Sequence, residues 1–233
     1  MPRPHVRIID AWNGWYHVNG NTYGTWLRGE PRGWRSRHHR EHVEGDYKNP
    51  PPPGAHDEAY QKSKRLMEEP VFLSRQARAI ACAELVASLQ YQSVEPIACC
   101  VDGHHYHILA RMVMPEVREH VPAWLVHTRH QPIYAFIRHV VGLAKSRAAR
   151  AISGAGHAPE GGVWAKRFKI TPIRDRAHQL QVVRYIQAHA NRGAAAWLIS
   201  NSPDPGAGHR AWDLVDPRRG LKRLRTARLS VLP

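Results

Sequence analysis

Two short apolar runs, residues 94–101 and 105–114, are separated by little more than Asp102-Gly103, a dipeptide favoured at two-residue hairpin turns. A hairpin at mid-chain must be antiparallel, and its apolar strands need cover from other elements. The flanking segments supply it. Upstream, Ser74 caps a helix whose apolar face is Ala77, Ile80, Ala81, Leu85 and Leu89. Downstream, Pro132 opens a helix with Ile133, Phe136, Ile137, Val140, Val141 and Ala144 on one side. Residues 12–28 alternate as a strand from Trp15 through Val18, Thr22 and Trp26, and 163–173 form another. Asp175 caps a last helix reaching to about Asn191. The order β-α-β-β-α-β plus one helix predicts an α+β, ferredoxin-like antiparallel sheet with an additional C-terminal helix.

One domain over 12–200 is expected, interrupted by a Pro-rich basic insertion at 29–57 and followed by a basic tail at 201–233. The 42% hydrophobic content of 233 residues suffices for one such core. No apolar run approaches the roughly 18 residues of a membrane span. The first residues lack a secretory leader, and Cys82, Cys99 and Cys100 sit at no metal-ligand spacing. A cytoplasmic, nucleoid-associated protein with core thiols is the expectation.

Charge narrows the partner. Lys and Arg number 34 against 19 acidic residues, a formal +15, which points to nucleic acid. Arg138, Lys145, Arg147 and Arg150 on one helix face, with Lys166, Arg167 and Lys169 on the following strand, offer phosphate contacts. The loop at 32–42 and the tail from Arg210 add flexible basic clamps, or merely solvated segments. Trp15, Trp26, Trp34 and Trp164 could stack on unpaired bases, although core packing accounts equally well for about half of them.

His105-Tyr106-His107 follows the hairpin turn. Strand alternation points both histidines one way and Tyr106 the other, which suits a shared divalent cation. The chain has 17 histidines, so the pair alone also fits a hydrogen-bonded surface feature. His104 is expected to face away unless a bulge intervenes. On the last helix Tyr185 and His189 are four residues apart and share a face, so His189 could be a third ligand with Tyr185 one turn away. A free phenol, with a pKa of about 10, is a poor nucleophile at neutral pH, and a metal on the scissile phosphate answers that need. A half-buried core tyrosine and a helix-end histidine are the plainer readings.

Taken together the parts resemble the single-tyrosine HUH transposases, in the REP-associated tyrosine transposase branch. The carriers are His105-Tyr106-His107, Trp164-Ala165-Lys166-Arg167-Phe168, Ile173-Arg174-Asp175 and Tyr185-Ile186. Thr22-Tyr23-Gly24-Thr25-Trp26-Leu27, Gly29 and Arg32-Gly33 add to them, over about residues 15–198. The resemblance implies metal-dependent nicking and rejoining of single-stranded DNA beside hairpins, with Mg²⁺ or Mn²⁺. It implies Tyr185 as nucleophile and His105 and His107 as ligands, in a monomer or a homodimer. His189 stands where relatives have Gln or Asn. Tyr106 replaces an aliphatic residue, and His189-Ala190 replaces a common Asn-Pro. A third imidazole would favour Mn²⁺ or Zn²⁺ over Mg²⁺. The rival reading is a domesticated protein that grips hairpin DNA or RNA without cutting.

Overall fold

The computed structural model describes residues 11–30, 34, 54, 56–67, 69–114, 132–157 and 162–199. Strand β1 (Trp15–Thr22) is followed by helices α1 (Asp57–Arg65) and α2 (Arg75–Tyr91). The hairpin is β2 (Glu95–Val101) and β3 (His105–Arg111). Helix α3 (Pro132–Gly154), strand β4 (Trp164–Pro172), helix α4 (Arg176–Ala190) and strand β5 (Ala195–Leu198) complete the order. The sheet runs β4-β1-β3-β2-β5 with every pairing antiparallel, so the α+β, ferredoxin-like expectation holds.

The two faces of the sheet bury different sets. Tyr16, Val18, Cys99, Val101, Tyr106, Ile108 and Ala110 pack against α2 and α3 in one core. Trp15, Ala98, Cys100 and Leu109 pack with Val182, Val183 and Ile186 of α4 in the other. An extra residue, Ile97, shifts the β2–β3 register between Pro96 and Ala98 and lets Ile97 and Ala98 both join the α4 side. Helix caps fall where the sequence places them. The Ser74 side chain accepts from the Ala77 N–H, and Asp175 from that of His178.

Several expectations need correction. Strand β1 ends at Thr22, and turns occupy 23–29; Trp26 is exposed. The hairpin closes through an Asp102 N–H to His105 carbonyl bond of 2.8 Å, so Gly103 and His104 are the central turn residues. Helix α1 and strand β5 were not anticipated: α1 buries none of its residues, and β5 is only four residues long. The three cysteines are buried and free, as expected of core thiols. Trp15 and Trp164 are core residues, while the Arg28 guanidinium carbon lies 5.5 Å from the Trp34 ring centroid. Among the described residues, no helix is long and apolar enough to cross a membrane. Nearly all of the 29–57 insertion beyond Glu30, and the whole tail at 201–233, lie outside the described residues.

Candidate metal and tyrosine site

On β3, residues 105, 107 and 109 face α4, and residues 106, 108 and 110 face the helix pair. His105 and His107 therefore emerge beneath α4, whose own face toward the sheet carries His189. The three imidazoles converge. Ring centroids are 5.1 Å apart for His105–His107, 5.1 Å for His105–His189 and 4.9 Å for His107–His189. One ring nitrogen from each lies within 4.8 Å of the others. Tyr185, one turn before His189, sets its ring 5.1 Å from His107 and 4.7 Å from His189 and is 48% exposed.

Each ring has a partner at Nδ1. His189 donates from Nδ1 to the Tyr185 carbonyl at 2.8 Å, which leaves its Nε2 with a lone pair. His105 Nδ1 meets His104 Nε2 at 3.2 Å, and His107 Nδ1 meets His17 Nε2 at 3.0 Å. His107 Nε2 is buried with no hydrogen-bond partner. A buried polar nitrogen with nothing to bond is costly, and a cation shared with two other imidazoles would answer it. This donor set fits a first-row divalent cation better than Mg²⁺, which prefers oxygen.

Burial also favours the neutral form, the one that can ligate, for His105 and His107 and for the neighbouring His17. Desolvation, followed by the neighbouring imidazoles, lowers the His107 pKa to about 2. Burial first, and then nearby charged or titratable groups, lower those of His17 and His105 to about 4.

The hairpin turn is held rigidly. The His104 carbonyl accepts from the Thr22 backbone at 2.9 Å and from the Thr22 and Thr25 hydroxyls at 3.2 and 3.3 Å. Arg78 of α2 links both halves of the site. Its Nε donates to the Leu73 carbonyl at 2.9 Å and its Nη1 to Gly193, just past α4, at 2.8 Å; Asp102 of the turn lies 3.8 Å away. The planar fork of arginine suits three partners at once.

The remaining sequence candidates divide. His104 does not face away; it lies in the turn, where strand alternation fails, and packs on His105 at 4.5 Å. Tyr106 is on the other face, fully buried against Trp164 at 5.3 Å, and burial raises its pKa. Lys169 pairs in register with Asn19 and so lies on the site face of the edge strand; Lys166 and Arg167 are exposed where β4 shifts register. Arg138 and Arg147 are exposed on α3, across the sheet from the histidines.

Lys145 corrects the expected basic face. It is buried, its Nζ donates to the Ala165 carbonyl at 2.7 Å and lies 5.0 Å from the Phe168 ring centre, and burial lowers its pKa to about 8. The physical reason is the β4 register shift, which takes Ala165 out of the ladder and leaves its carbonyl in need of a donor. His17 was missed altogether. Its signal was its place in the odd-numbered series Trp15, His17, Asn19, Asn21 of β1, but pairing with β3 is not visible from β1 itself.

The fold and the site together define an antiparallel ferredoxin-like sheet with a histidine triad and a tyrosine on an added helix. No family model matches the chain, and no curated protein does. A solved structure of a REP-associated tyrosine transposase bound to a REP hairpin is similar over 77% of this chain and 68% of that one. The identity is 12% and the TM-score 0.32, a likeness too loose to assign function.

Proposed function

We propose that this chain is a divalent-metal-dependent transesterase that nicks and rejoins single-stranded DNA beside a hairpin, with Tyr185 as nucleophile. The observation that carries the reading is the convergence on one side of the sheet. Tyr185, half exposed, packs against two of three imidazoles whose nitrogens close on a common point. One of those rings, His107, carries a buried nitrogen with no hydrogen-bond partner.

The step exchanges one phosphodiester for another. Tyr185 Oη bonds to phosphorus as the P–O3′ bond breaks, giving a 5′-phosphotyrosine and a 3′ hydroxyl. The phenolic proton leaves by the exposed side of the ring, and the 3′ oxygen takes one up from solvent. A cation at His105, His107 and His189 would withdraw charge from the phosphate and stabilise the leaving 3′ oxygen. The reverse reaction rejoins the strand without a nucleotide cofactor. Lys169 on the site face, with Lys166 and Arg167 on the same edge strand, would hold the phosphate backbone. Arg138 and Arg147 are too far around the molecule to touch the reacting phosphate and would act only on a longer duplex. Mn²⁺ is the cation this donor set favours over Mg²⁺.

The test is a labelled oligonucleotide with a hairpin and a single-stranded flank, incubated with protein and Mn²⁺ and run on a denaturing gel. The expected result is a protein–DNA adduct that disappears in Tyr185→Phe, while that variant still shifts the oligonucleotide on a native gel. An adduct that persists in Tyr185→Phe would overturn the role of this residue. Binding without any adduct would favour a protein that grips hairpin DNA or RNA without cutting.

A further inference from the structure

We infer that His17 is a positioning residue: it holds His107 in the tautomer and orientation that direct Nε2 to the metal. The inference rests on the metal reading above and concerns a residue outside the His105, His107 and His189 cluster.

The partners of the other two ligands are local. His189 is held by the carbonyl one turn earlier on its own helix, and His105 by its chain neighbour His104. His107 alone takes its partner from another strand, across 90 positions of sequence, at 3.0 Å. The His17 ring also stacks on His107, with centroids 5.2 Å apart and planes inclined by 26°. In register His17 lies opposite Leu109, so it reaches His107 diagonally across the β1–β3 pair. The same ring stands edge-on to Tyr185 at 6.5 Å. His17 thus touches both the ligand and the proposed nucleophile.

Two proton arrangements satisfy the 3.0 Å contact. If His17 Nε2 donated, His107 would carry its proton on Nε2, buried with nothing to receive it and unable to ligate. If His107 Nδ1 donates to His17 Nε2, the buried Nε2 of His107 keeps its lone pair on a ring whose neighbours are the other two imidazoles. Only the second arrangement makes a ligand of His107. An imidazole whose far nitrogen is fixed by a hydrogen bond is the usual outer partner of a metal-binding histidine, and its loss typically weakens metal binding about 10–100-fold.

Two measurements test this, neither of them turnover. In metal-free wild-type protein, long-range ¹⁵N–¹H correlation spectra should show His107 protonated at Nδ1; protonation at Nε2 overturns the inference without any variant. Titration with Co²⁺ alone, followed by its visible absorption, should then give about 10–100-fold weaker binding for His17→Phe, which keeps the stacked ring and removes the acceptor. His17→Gln, whose amide oxygen can still accept, should recover most of the affinity. Equal Co²⁺ affinity in wild type and His17→Phe overturns the positioning role alone. Wild-type protein that binds no Co²⁺ overturns this inference together with the metal reading beneath it. Loss of binding in His17→Phe without recovery in His17→Gln reduces His17 to packing and also overturns it.

Discussion

Strand β3 presents Tyr106, Ile108 and Ala110 to one layer and His105, His107 and Leu109 to the other, and the two layers are built on different terms. The α2–α3 side is a continuous apolar core of close-packed side chains, closed around Tyr106. The α4 side has an apolar half, around Leu109, Val183 and Ile186, and a polar half of four imidazoles and a half-exposed phenol. The sheet thus separates one tyrosine that has no access to solvent from another that is half exposed beside the clustered imidazoles. The first side supplies the apolar packing, and the proposed chemistry belongs to the second.

Neighbouring residues on β3 separate the two most sharply. Ile108→Ala should destabilise the fold by about 2–5 kcal/mol, as large-to-small changes in a tight core do, without changing the Co²⁺ affinity of the folded protein. His107→Ala should abolish tight Co²⁺ binding with a smaller loss of stability, since it removes a ligand and an unsatisfied nitrogen together. Urea titration and Co²⁺ absorption on both variants check this; equal loss of binding in the two would erase the division between faces.

A second break tests how tightly the core side is closed. A Cβ on Gly20 would meet Tyr106 Oη at 2.7 Å and its ring carbons at 2.8 Å. Gly20→Ala should therefore cost about 1–3 kcal/mol in urea unfolding, through overpacking across the β1–β3 pair.

Acid should act on the other face. His17 and His105 have pKa values lowered from 6.5 to about 4 in the folded protein, and His107 to about 2. Below pH 6.5 the unfolded chain binds protons that the folded one refuses, so stability present above 6.5 is lost as pH falls toward 4 and below. The urea midpoint of metal-free protein should drop over that window, less steeply in His17→Phe. A midpoint independent of pH there would mean that the imidazoles are not buried as described.

The smallest effect belongs to Tyr106→Phe. Its hydroxyl is buried without a partner, so removal should leave stability within about 1 kcal/mol of wild type or raise it. Adduct formation should be unaltered, because this phenol faces away from the histidines.

What could be read from the residues follows the range of the interactions. The hairpin, its flanking helices and the side shared by His105 and His107 depend on local periodicity, and so does the stacking of Tyr185 above His189. Those were all readable. Helix α1 was not, because it buries no residue and so has no apolar stripe. The burial of Lys145 depends on a carbonyl released by a register shift in β4, and the partnership of His17 with His107 on a strand pairing. Both are long-range facts that leave no spacing in the chain. Tyr106 matched a metal-site motif by position, but strand alternation had already turned it to the opposite face.

Attack by Tyr185 beside a cation held by His105, His107 and His189 is the step proposed above. It is tested most directly by incubating the protein with a hairpin oligonucleotide and Mn²⁺, digesting any adduct, and locating the nucleotide by peptide mass spectrometry. A 5′-phosphate linkage on Tyr185, formed with Mn²⁺ and absent with chelator, is expected. A linkage on any other residue, or one that forms equally well in chelator, would contradict it.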